Sequence, residues 1–151
     1  MHQRRKAREV TLQVLYALDV HPIGPAEAIA LFWSNFEAPE DARPFSSLLI
    51  EGAWNHRERI DSLISGSSEH WSIGRMSRVD KSILRMAVYE LLFCQDIPPK
   101  VTLNEAIDLG KVYGSENSGA FINGILDALY GKLRNKDEDQ DETGVAGFPG
   151  P

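Results

Sequence analysis

The chain has 151 residues, room for one domain or two small packed halves and too few for a multidomain enzyme. Its 42% hydrophobic and 25% charged content can bury a core, while no apolar run approaches the roughly 18–20 residues that span a bilayer. The polar opening MHQRRKARE does not resemble a secretory signal, and the single cysteine, Cys94, excludes an intrachain disulfide framework and a cysteine-rich zinc site, so a reduced, cytoplasmic protein with no membrane association is expected.

Apolar spacing follows a period near 3.6 rather than 2, which predicts an all-α chain of about six or seven helices. The first runs from about Gln3 to Val20, with Ala7, Val10, Thr11, Val14, Leu15 and Leu18 as its core stripe. The net charge of −6 hides a concentration of cations here: Arg4, Arg5, Lys6 and Arg8 fill four of five positions. Such a run suits a local polyanion site, or else a solvated terminus. Tyr16 lies opposite the stripe, with Arg5 and Leu12 on the same outer face. That face is either a protein contact or is covered by the other half of the molecule. Pro25 opens a second helix ending near Glu37, and a long third, with a bend, covers about Glu40 to Ser65. Ser65-Gly66-Ser67-Ser68 marks the boundary between halves, before a short element around His70 to Arg75.

Ser77 and Asp80 form a capping-box pattern opening a helix to about Gln95. That helix is apolar nearly all round, which predicts a central, buried position, and Glu90 within it is expected to be ion-paired or hydrogen-bonded. Thr102 and Glu105 suggest another capping box for a helix ending at Tyr113, with Lys111 on its polar face. Ser115 can cap the last helix, whose stripe is Ile122, Ile125, Leu126, Leu129 and Leu133. Phe121 points away from that stripe, near Asn117 and Gly124; it suits stacking on an unpaired base or packing between the halves. From Asn135 to Pro151, Lys136 stands against Asp137, Glu138, Asp139, Asp141 and Glu142, a net of −4, and this stretch is expected to be a disordered acidic tail. The expected organisation is one domain over 1–134, with an N-terminal bundle about 3–66 and a C-terminal bundle about 77–134, followed by the tail 135–151.

No phosphate-binding glycine loop, dinucleotide fingerprint or nucleophile elbow is present. His2, His21, His56 and His70 are scattered without metal-ligand spacing, and Cys94 sits in an apolar helix. No catalytic residue, cofactor or metal is expected.

The opening Arg4-Arg5-Lys6-Ala7-Arg8-Glu9 with Leu12-Gln13 and Leu15-Tyr16 resembles the start of the NusB family of transcription antitermination proteins. Further fragments follow in the same order: Arg75 to Arg85, Ala87-Val88-Tyr89-Glu90-Leu91, Ile97-Pro98, Asn104-Glu105-Ala106, Lys111-Val112-Tyr113-Gly114 and Phe121 to Asp127. Together they cover roughly residues 3–133, with 20–70 similar in helical layout more than in residues. The resemblance implies two packed helical bundles without catalytic activity. It also implies binding of the single-stranded boxA element of ribosomal RNA leader transcripts together with NusE, a small-subunit ribosomal protein. Other Nus factors and RNA polymerase would complete the antitermination complex.

By the same resemblance Arg4, Arg5, Lys6 and Arg8 would grip RNA, with Phe121 the aromatic near it and Lys111 a further contact; Tyr16, Asp80 and Leu12 would face NusE. Asn117 stands where the family commonly has an acidic residue, which would remove a repulsion near phosphate. The acidic tail is longer than the family pattern and could fold back on the basic run to compete with RNA. Alternative readings are a helical protein–protein scaffold and an RNA-targeting module without antitermination activity, like the NusB-like domain attached to rRNA methyltransferases.

Overall fold

A computed structural model describes residues 3–69 and 72–142, with side chains through 135. Its helices are α1 (Gln3–Val20), α2 (Pro25–Asn35), α3 (Arg43–Asn55), α4 (Arg57–Gly66), α5 (Arg78–Phe93), α6 (Pro99–Tyr113) and α7 (Ser118–Glu142). Single 3₁₀ turns occupy Glu40–Ala42 and Ile73–Arg75. Among the described residues there is no strand, and no helix is long and apolar enough to cross a membrane.

Local chemistry explains most of the boundaries. Pro25 occupies the first turn of α2, where its missing N–H costs nothing. Ser77 caps α5, its hydroxyl oxygen accepting the Asp80 N–H at 3.1 Å. The reciprocal half of that box is not made, because Asp80 is buried with Oδ1 unpartnered. At the head of α7 the Ser115 N–H donates to the Ser118 hydroxyl at 2.9 Å. The helix expected over about 40–65 is divided into a 3₁₀ turn, α3 and α4. Its break falls at His56, where φ is −105° and ψ 17°, although the His56 N–H still bonds to the Gly52 carbonyl.

One expected cap is absent. Thr102 and Glu105 do not cap α6, which begins three residues earlier behind Pro98; the Thr102 hydroxyl instead donates to Glu90 at 3.1 Å. Separately, α7 spans Ser118–Glu142, so the described part of the acidic stretch adjoins that helix. The remainder of the expected tail, 143–151, lies outside the described residues, as do His70 and Trp71 of the expected short element.

α5 is the axle of the fold and packs against α1, α3, α4, α6 and α7. Ile83, Leu84, Met86, Val88 and Leu92 of this helix are each no more than 2% exposed. One apolar cluster runs from Leu15 and Leu18 of α1 through Leu49 and Ile50 of α3 and α5 to Ile122 and Leu126 of α7. Each such side chain contributes about 1.5–3 kcal/mol when removed from water. Close approach is bought by small residues at two seams. A Cβ on Gly52 would run into the Tyr89 ring, and one on Gly110 would lie 2.7 Å from Ile122.

Candidate nucleic-acid interface

The first turn of α1 concentrates cations at the positive end of a helix dipole, a placement unfavourable by itself. Carboxylates from other elements offset it. Arg5 reaches α6, with Nη2 3.2 Å from Glu105 and 3.0 Å from Asp108. The charge of Glu105 and its hydrogen bond, with those of Asp108 beside them, raise the Arg5 pKa above its ordinary value. Arg4 lies 3.4 Å from Asp96 and covers the Phe45 ring at 4.7 Å from its centroid. Lys6 pairs with Glu9 at 3.8 Å. All three cations remain exposed at the surface.

Arg8 has the opposite fate and must be removed from the set of phosphate contacts. It is 3% exposed, and its guanidinium forks onto Glu90, Nε donating at 2.9 Å and Nη2 at 2.7 Å. Burial disfavours its charge, but the hydrogen bonds and charge of Glu90 outweigh it and the pKa is raised. The expected partner of Glu90 is therefore this arginine, with the Thr102 hydroxyl as a further donor. Nearby Cys94 is free and buried, and burial, Glu90 and Asp96 push its thiol up to about 11, which leaves it protonated and unreactive at neutral pH.

Lys111 stands exposed one helical turn beyond Asp108 on α6, so Arg5 and Lys111 meet the same helix. Its aliphatic stem passes over Gly119, where an added Cβ would lie 3.0 Å from the lysine Cγ. Asn117 is exposed at the mouth of α7, and its carbonyl accepts the Phe121 N–H at 3.0 Å. Phe121 is half-buried and packed against the core cluster. Its packing against the core agrees with the packing reading left open by its position off the stripe. The helical stretch 135–142 continues α7, whose rise puts residue 137 about 28 Å from Ser118, so this stretch leads away from the α6–α7 turn.

On the outer face of α1, Tyr16 is 41% exposed. It borders a cleft of about 260 Å³ shared with Glu9, Gln13, Val79 and Tyr113. Leu12 lies at the floor of this cleft but is only 5% exposed, which corrects its placement on the outer surface. Asp80 is likewise only 8% exposed, next in sequence to Val79 of the cleft wall, and its Oδ1 is buried without a hydrogen-bond partner. Tyr113, which the sequence did not single out, is 45% exposed and donates its hydroxyl to Glu9 at 2.7 Å. Phe45, Asp96, Glu105 and Asp108 were also missed, because each acts on the basic run from a distant segment. Among the described residues no group of His, Cys, Asp or Glu could hold a metal ion.

Residues 5–131 match the NusB family. The transcription antitermination protein NusB of Syntrophus aciditrophicus is 72% identical over 93% of this chain and 88% of its own length. Among solved structures, NusB of T. maritima superposes with a TM-score of 0.75 at 36% identity, covering 85% of this chain and 91% of that one. A NusB crystallised with NusE and double-stranded RNA superposes with a TM-score of 0.76 at 33% identity, covering 87% and 98%.

Proposed function

The chain belongs to the NusB family, and from that premise we propose that it is a non-enzymatic transcription antitermination factor that binds the unpaired boxA segment of rRNA leader transcripts together with NusE. The exposed cations of the first α1 turn, Arg4, Arg5 and Lys6, carry this reading. They project from a rigid helix next to α6, and Lys111 and Asn117 extend the same side of the molecule toward the α6–α7 turn. Guanidinium groups there can hold phosphates, and the half-buried Phe121 is the aromatic we assign to base stacking. Tyr16, with Leu12, Val79 and Tyr113 around it, forms the NusE-facing cleft, and Asp80 follows Val79 in the chain behind it. Other Nus factors and RNA polymerase complete the assembly, and the protein acts on nascent transcripts in the cytoplasm. The structural relative with NusE and RNA supports both partners.

Fluorescence anisotropy with a labelled boxA-like single strand, with and without NusE, tests the proposal. The native chain is expected to bind, more tightly with NusE, and to prefer the unpaired strand to a duplex of the same sequence. The double substitution Arg4→Ala/Arg5→Ala is expected to abolish RNA binding while leaving far-UV circular dichroism unchanged. Retained RNA affinity in that variant would refute the assignment, and NusE binding without any RNA binding would favour the scaffold reading.

A further inference from the structure

Three exposed cations, Arg4, Arg5 and Lys6, face four carboxylates: Asp96, Glu105, Asp108 and Glu9. The surface that the sequence presents as a basic run therefore offers an approaching polyanion no net positive charge. Three of these carboxylates come from beyond α1: Asp96 follows α5, and Glu105 and Asp108 stand on successive turns of α6. They meet the guanidinium groups at 3.4, 3.2 and 3.0 Å, close enough to occupy donors that an RNA phosphate would need.

We infer that Asp96, Glu105 and Asp108 set the affinity threshold for RNA, occupying the phosphate places on Arg4 and Arg5 so that a strand must displace them to bind. This rests on the reading of those arginines as the RNA grip. Displacement imposes the same penalty on every polyanion, so phosphate contacts alone do not hold a ligand. A strand that adds base contacts overcomes the penalty, and random transcript does not. The exchange also alters the salt response. A single strand normally releases about 0.7 counterion per phosphate neutralised. Here each phosphate captured by Arg5 frees carboxylates that take up cations from solution, which cancels much of that release. The native protein consequently has a salt dependence shallower than its number of phosphate contacts.

The test measures affinity for an unpaired boxA-like RNA and for an unrelated single strand, across a salt series, in the native chain, Glu105→Gln/Asp108→Asn and Asp96→Asn. The first variant is expected to bind both strands about threefold to tenfold more tightly at low salt, since it removes two exposed ion pairs and each is worth no more than about fivefold in affinity. Its plot of log affinity against log salt is expected to steepen by about 0.7 for each phosphate contact relieved of competition. Asp96→Asn is expected to shift both quantities the same way through Arg4. Unchanged or weaker binding with an unchanged slope would overturn the inference alone, since the carboxylates would then position Arg5 or be irrelevant to it. Absence of RNA binding by every form would overturn the parent reading and this one with it. Melting temperatures and circular dichroism establish that each variant is folded.

Discussion

Arg5 and Arg8 stand one helical turn apart, yet Arg5 meets carboxylates at the surface and Arg8 disappears into the core. The difference was legible in part. Arg8, Thr11, Leu12 and Leu15 fall at i, i+3, i+4 and i+7, a row that widens the Ala7–Leu18 stripe by sharing Thr11 and Leu15 with it, and all four are buried. An arginine on such a row needs a buried anion, and Glu90 was the carboxylate set among the apolar residues of the second half of α5. Matching the two also corrects Leu12, whose place on that row puts it under the cleft rather than on its rim. A buried fork of this kind is weak evidence for stability but is costly to break on one side. Replacing Glu90 by Gln is expected to destabilise the fold by about 3–5 kcal/mol in urea unfolding, because Arg8 is left charged without a counter-ion. The double substitution Arg8→Met/Glu90→Leu is expected to recover most of that loss. A single variant within about 1 kcal/mol of the native protein would contradict the assigned role.

At the scale of elements, ends marked by chemistry local to the chain were readable, and ends decided by tertiary contacts were not. Pro25 and Ser77 act on neighbouring backbone groups, so their patterns suffice. Thr102 and Glu105 mimic a cap, but their side chains serve Glu90 and Arg5 instead. The break at His56 carries neither proline nor glycine, and the acidic continuation of α7 lacks an apolar stripe. It follows an existing helix, so no nucleation cost remains, and its Glu, Lys and Gln residues are adequate helix formers. Gly52 inverts the usual expectation for its element. An alanine there would gain about 1 kcal/mol of helix propensity at an ordinary site. The Tyr89 ring instead occupies the space a Cβ needs. Gly52→Ala is therefore expected to lose about 1–3 kcal/mol net. A thermal melt that rises in this variant would show that α3 and α5 can separate freely.

Across the whole molecule, the basic run and the off-stripe Phe121 were visible in sequence, whereas the carboxylates that answer the run required the tertiary fold, which brings α6 side chains and Asp96 after α5 within reach of α1. The same packing builds a second charge network that no local pattern announced. Asp19 near the end of α1 receives Lys81 at 2.9 Å, Arg78 at 3.1 Å and Arg85 at 3.1 Å, all from α5. Arg85 also forks onto Asp61 of α4 with two contacts of 2.8 Å, so one half-buried cluster ties three helices together. Burial raises the Asp19 pKa, but the hydrogen bond and charge of Lys81 and those of Arg85 outweigh it and hold the group below its ordinary 3.8. A depressed carboxyl stabilises the fold at pH values above its unfolded-state pKa. Below that value the unfolded chain takes up the proton first, and the contribution is gone once the pH falls through the folded value. Asp19→Asn is therefore expected to be less stable at neutral pH, because Lys81 and Arg85 lose a counter-charge. It should also lose less further stability than the native chain between about pH 5 and pH 3. Urea titrations at a series of pH values measure both. Parallel stability–pH curves for the two proteins would mean that Asp19 is no more paired in the folded chain than in the unfolded one.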